Sequence, residues 1–243
     1  MSLTLPHAGS WLNCPPIPAM GLHLRPAEFT VAVKFRLGMP VFDAAGTCPA
    51  CSRPSDTLGD HALCCATGGE RVARHNQLRD NVFDVAKEAG LNPVKEGNAL
   101  IPGTLRRPAD ILLPRWAGPL DAALDVTVTH PLQDATRAGA ATTPGHAMAQ
   151  AYSRKVSDAG ELCRREGLAF VPLVAESLGG LHHTMVDQLR RLGRALALHT
   201  GQDEGTTTAH LLSRVSLTLA KGLASLVINR IPRQPEASVS GIQ

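Results

Sequence analysis

Apolar positions along the chain fall into segments with two different periods, and the periods define the elements. From Pro26 to Gly38, Phe29, Val33 and Leu37 recur at helical spacing, which predicts a short helix stopped by Gly38. The residues before it, 1–25, have no apolar period and include Pro6, Pro15, Pro16 and Pro18, so they read as an irregular leader. Residues 70–89 carry a stronger helical pattern, with Val72, Leu78, Val82, Val85 and Ala86 on one side and Gly90 as the stop. Three extended segments follow, at 93–100, 110–114 and 123–130. In the last, Leu124, Val126 and Val128 alternate with Asp125, Thr127 and Thr129, the period of a strand with one polar face. After a loop at 133–145 the pattern predicts a helix over 146–165, a buried strand over 168–175 and a helix over 182–199. A last amphipathic segment, 206–229, carries Leu211, Leu212, Val215, Leu219, Leu223, Leu226 and Val227, and the chain beyond Pro232 reads as disordered.

From residue 70 the order is helix, three strands, helix, strand, helix, which predicts an α/β domain with a mixed central sheet flanked by helices. The organisation expected is a leader (1–25), a short helix with a cysteine-rich knuckle (26–69), the α/β domain (70–200) and a C-terminal amphipathic helix with its tail (201–243). With 44% hydrophobic residues among 243, the chain has enough apolar material for one sizeable core. Apolar runs such as 168–175 are too short for a bilayer, where about 20 residues are needed, and no secretory signal is visible, so the expected compartment is nuclear or cytoplasmic, with no membrane partner. A net charge of +3 says little about partners, but the basic residues are mostly Arg, whose planar fork suits phosphate. Aromatic residues make up only 3%, which argues against a surface built on base stacking.

Cysteine spacing changes the picture. Cys48 and Cys51 form a CxxC turn, and His61 is followed by Cys64 and Cys65. Zinc takes four such ligands in a tetrahedron, and a CxxC turn presents two thiolates on one side. Cys48, Cys51 and His61 are therefore candidate Zn²⁺ ligands. The fourth is Cys64 or Cys65, with Cys64 preferred and the other a small buried hydrophobe.

A second constellation joins Asp110 to Asp125 on successive extended segments. A tight hairpin would bring the two carboxylates onto one face, where they repel unless a divalent cation lies between them. Mg²⁺, or Mn²⁺, prefers oxygen ligands and promotes phosphodiester hydrolysis. A lysine would complete the set. Position 127 is Thr, so Lys155 on the following helix is the candidate, with Tyr152 on the same helical face. Arg74, His75 and Arg79 on the helix at 70–89, with Arg106 and Arg107, are candidate contacts to DNA backbone phosphate. Glu96, Glu176 and the pair His182 and His183 rank lower.

CPAC (48–51), GDHALCC (59–65), RHN (74–76), RPAD (107–110), LDVT (124–127) and the Tyr152/Lys155 helix, in that order, resemble the C-terminal region of site-specific non-LTR retrotransposon proteins. In that region a CCHC zinc motif precedes a restriction-endonuclease-like PD-(D/E)XK domain, and such chains are described as reverse transcriptase-like. The resemblance spans roughly residues 26–200. It implies a metal-dependent DNA endonuclease, with Zn²⁺ on the cysteine cluster, Mg²⁺ on Asp110 and Asp125, Lys155 as a displaced catalytic lysine, and DNA and element RNA as partners. Two departures stand out: Ala109 is inserted between Pro108 and Asp110, and the third-motif lysine is Thr127. No adjacent Asp-Asp pair of a polymerase palm is present, so the expectation is an endonuclease region without its polymerase. The rival classes are a catalytically inactive, zinc-containing nucleic-acid-binding module and a zinc-stabilised protein-interaction domain that docks through 206–229.

Overall fold

The computed structural model describes residues 2–95 and 109–234. Arg106, Arg107, Glu96, most of the strand expected at 93–100 and the tail after 234 lie outside the described residues. The elements are α1 (Pro26–Arg36), a two-stranded ribbon of β1 (Gly46–Thr47) and β2 (Pro54–Ser55), α2 (Asp60–Cys64), α3 (Glu70–Glu88), β3 (Val94–Lys95), β4 (Ile111–Ala117), β5 (Leu120–Thr129), α4 (Asp134–Thr142), α5 (His146–Lys155), α6 (Glu161–Arg165), β6 (Leu168–Glu176), α7 (His183–Thr200) and α8 (Glu204–Ile228). The main sheet has the order β3-β4-β5-β6. Its first three strands are antiparallel neighbours, whereas β6 returns through α4, α5 and α6 to lie parallel to β5. The chain is thus a mixed α/β protein whose mixed sheet is flanked by helices.

Alternation along β5 divides the two faces. Ala122, Leu124 and Val126 join Ile111, Leu113 and Leu173 in the large core against α3, α7 and α8. The opposite face, with Ala123, meets Cys163 of α6, while Val174 meets Met148 and Ala151 of α5. On α3, Leu78, Val82, Val85 and Ala86 are buried as their spacing predicts, but Val72 is exposed. Six residues before Leu78, it sits about 120° round the helix from that stripe. Arg74, four residues before Leu78, falls on the stripe instead and is buried.

Four expectations need correction, the first being the loop expected at 133–145, which holds the helix α4. On α1 the core-facing positions are Glu28, Val31 and Ala32, and Phe29 and Leu37 are exposed, because the helix packs on α8 through the stripe offset by one position. The leader is ordered: short 3-10 turns carry Trp11 into a cluster with Ala32, Leu217 and Ala220, and its backbone N–H donates to Ser216 Oγ at 3.0 Å. The helix expected over 146–165 is interrupted by a π-helical turn, Val156–Gly160, directly after Lys155. That wider turn rephases the chain so that Lys155 and Cys163 both address β5.

The C-terminal helix is no appendage. Glu204–Ile228 has the length and mean hydropathy of a membrane span, which the apolar runs of the sequence did not suggest, but most of its apolar surface is buried inside the molecule. Leu211, Val215 and Leu219 enter the main core, and Leu223, Leu226 and Val227 enter a second cluster with Val31, Phe42 and Leu63. Little of that face is left to dock a partner helix. We predict that Leu219→Ala, which empties a site with 1% exposure, costs about 2–5 kcal/mol. Urea unfolding should show both clusters lost in one transition, because one helix serves both.

Candidate functional site

The cysteine knuckle is built by short-range backbone constraints. The β1–β2 ribbon closes a turn in which the Cys48 N–H donates to the Arg53 carbonyl and the Ser52 N–H to the Cys48 carbonyl, with Ser52 left-handed at φ 59°. Gly59 then opens α2 at φ +81°, and a Cβ there would meet Val41 Cγ2 at 2.7 Å, so this turn needs glycine. His61 thereby reaches back to Cys51, with Nε2 and Sγ 3.1 Å apart.

Ligand atoms of Cys48, Cys51, His61 and Cys65 all lie within 4.8 Å of one another, and this Cys₃His group can hold a metal ion such as zinc. The preference for Cys64 is therefore corrected. Cys64 is the last residue of α2 and stays on the helix, where burial, with Asp60 adding to it, pushes its thiol up to about 11. Cys65 leaves the helix with extended backbone (φ −56°, ψ 120°), and this turns its sulfur to the cluster. Burial works to raise the Cys65 thiol, but the Arg230 guanidinium and the Thr67 backbone more than offset it and leave the thiol below its ordinary value. Arg230, with 1% exposure, donates through Nη2 to the Thr67 carbonyl at 2.6 Å and to Glu70 Oε2 at 2.7 Å. It is an outer support that sequence spacing could not reveal, since it lies 165 positions after Cys65.

The acid pair is set by strand register. Asp110 lies directly before β4, where Ile111 pairs with Leu124, and this brings it alongside the Leu124–Val126 stretch of β5 that carries Asp125. Asp110 is locked in place: its N–H donates to the Leu124 carbonyl, its Oδ2 accepts from the Val126 N–H at 2.7 Å, and its Oδ1 lies 3.1 Å from His75 Nε2. Asp125 is buried and meets the Lys155 ammonium at 2.9 Å, and it accepts from Thr127 Oγ1 at 3.3 Å. Burial pushes the Asp125 carboxyl up; Lys155 pulls it down, and the charge of Asp110 raises it further, leaving it above the ordinary carboxylate range. That last effect marks the two acids as electrostatic neighbours.

Other candidates are placed differently from expectation. His75 serves Asp110 rather than standing free for DNA. Arg74 and Arg79 are buried, and Arg79 is paired with Asp80 at 2.8 Å. Tyr152 stacks on His182, with ring centroids 4.5 Å apart and planes 14° from parallel, so its ring belongs to the start of α7. Glu176, expected on the surface, is fully buried, and burial raises its carboxyl. The sequence signal for His75 was its helical position one residue from Arg74; for Arg74 it was the apolar stripe.

No protein-family model matches the chain, and no curated protein matches it either. We predict that purified protein binds one zinc ion per chain. Cys65→Ser should lose it on elemental analysis and Cys64→Ser should keep it; the reverse result would restore Cys64 as the ligand.

Proposed function

We propose that the protein is a metal-dependent DNA endonuclease with an attached zinc knuckle, of the PD-(D/E)XK type found in the C-terminal region of site-specific non-LTR retrotransposon proteins. The observation that carries this reading is the closeness of Asp110, whose charge acts on Asp125, together with the Lys155 ammonium 2.9 Å from Asp125. A carboxylate has about four lone-pair sites. Contacts to His75, the Val126 amide, Lys155 and Thr127 leave lone pairs on both acids for a hard cation such as Mg²⁺ or Mn²⁺. When bound there, the cation supplies Lewis-acid polarisation of a phosphodiester.

The protein's own groups do the rest. His75 and the Val126 amide fix the Asp110 carboxylate, which removes the need to order it when substrate arrives. Asp125, raised by burial, is suited to take the proton of an attacking water. Water oxygen bonds to phosphorus as the bond to the leaving sugar oxygen breaks. Lys155 places positive charge beside the site where negative charge develops, a service Thr127 cannot provide. The displaced lysine thus fits the geometry: α5 ends at Lys155, and the π turn after it holds the side chain toward β5.

A second reading has an observation in its favour. Lys155 and Asp125 neutralise each other at 2.9 Å, so the pair can serve as a purely structural link in an inactive DNA-binding relative. Plasmid nicking separates the two. With Mg²⁺ or Mn²⁺ the zinc-loaded protein should convert supercoiled DNA to open circles. Asp125→Ala should abolish this with zinc content unchanged, and Lys155→Met should slow it about 10²–10³-fold. Salt-sensitive DNA binding that ignores Asp110→Ala, with no cleavage in either metal, would establish the inactive module.

A further inference from the structure

We propose that a separate phosphate-binding pocket lies beside the acid pair, organised by the buried guanidinium of Arg74 and the imidazole of His130, and that it takes the phosphate of a nucleotide. This inference does not rest on the nuclease reading. A cavity of about 670 Å³ opens between the end of β5, the first turns of α3, and α4 and α5. Its walls include Arg71, Arg74, Arg154, His130 and His146, and among the described residues no carboxylate. Such a lining concentrates positive potential and selects an anion.

Arg74 is the decisive residue. It is 4% exposed, and its Nε and Nη1 are buried with no hydrogen-bond partner among the described residues. An uncompensated buried cation is costly, and removing its partner from such a pair destabilises by several kcal/mol, so folded chains rarely keep one without use. Burial pushes its pKa down to about 10, and the neighbouring Arg71 lowers it further, with only Cys64 acting in the opposite sense. Among the described residues no partner compensates it, which is the opening that an external anion fills.

The fold also makes room for this side chain. A Cβ on Gly222 of α8 would meet Arg74 Cγ at 2.4 Å and Cδ at 2.9 Å, so the tight crossing of α3 and α8 around the arginine stem needs glycine there. His130, 4% exposed, has Nδ1 2.6 Å from Ser177 Oγ and Nε2 buried without a partner. When Ser177 donates to Nδ1, Nε2 carries the hydrogen and is a neutral donor for an oxyanion. Burial, with Arg74 adding to it, holds the His130 pKa down to about 4, so it remains neutral at physiological pH. A fixed cation beside a neutral N–H donor suits the several oxygens of a phosphate.

The chemistry fits two sources, a free phosphate and a phosphate ester of a nucleic-acid strand. The cavity far exceeds inorganic phosphate in size. It also includes Thr127, two positions along β5 from Asp125 and turned to the same face, so an ester held here would lie next to the acids.

Calorimetry of the zinc-loaded protein with inorganic phosphate, a 5′-phosphorylated dinucleotide and the same dinucleotide without that phosphate tests the proposal. The phosphorylated dinucleotide should bind one to one and most tightly, and Arg74→Met should weaken it at least tenfold. Without ligand, Arg74→Met should raise the melting temperature, the opposite of what a purely structural arginine would give. Arg71→Gln, an exposed change, should weaken binding several-fold and decides the matter alone if Arg74→Met does not fold. Absence of saturable binding, wild-type affinity in both arginine variants, or tightest binding of the unphosphorylated dinucleotide would overturn the pocket. Phosphate binding without plasmid nicking would remove the nuclease reading and leave this one.

Discussion

Burial of the 25-residue helix α8 is the constraint from which the arrangement of the other parts follows. Its first half fills the core under the main sheet and its second half fills the core behind the cysteine knuckle, so the sheet and the knuckle cannot move independently without exposing leucines. The same helix carries the details that matter chemically. Gly222 admits the stem of Arg74, Thr218 accepts from Asn81 of α3 at 2.8 Å, and Arg230 just beyond its end braces Cys65 and Glu70. A helix this apolar must be enclosed on most sides in water, and enclosure forces α1, α3, α7 and the leader around it.

Within that enclosure three cations are treated differently. Lys155 is balanced by Asp125, and Arg230 by Glu70 with a backbone carbonyl in support. Arg74, like Arg230, has two buried nitrogens without a hydrogen-bond partner, but among the described residues it has no carboxylate paired with it as Arg230 has Glu70. Both guanidiniums are buried, so the contrast between Arg74 and Arg230 is in compensation, not in burial. Balanced charges hold geometry: Lys155 orients one acid, and Arg230 lowers a thiol that is to ligate metal. An unbalanced one, in a cavity with no carboxylate among the described residues, stores attraction for an anion.

Local periodicity made much of the fold legible. Leu78, Val82, Val85 and Ala86 gave α3, and the alternation at 124–129 gave β5 and put Asp125 on its polar side, because backbone geometry alone sets those spacings. Legibility failed where a neighbour chose between equivalent stripes, as on α1, or where a helix changed its winding to satisfy the sheet, as after Lys155. The leader was opaque because Trp11 is a single anchor without a period. The knuckle was legible to the level of three ligands. Choosing between adjacent cysteines required knowing that α2 ends at Cys64 and that Arg230 waits beside Cys65.

The sequence by itself determined the kinds of element, their order, the cysteine and histidine set and the two acids, since each depends on residue type and near spacing. Tertiary structure decided which side chains meet across long separations. It joined His75 to Asp110, Lys155 to Asp125 and Arg230 to the knuckle, and it left Arg74 facing a cavity. Those outcomes depend on how apolar faces close around α8, a property of the whole chain that no short window contains.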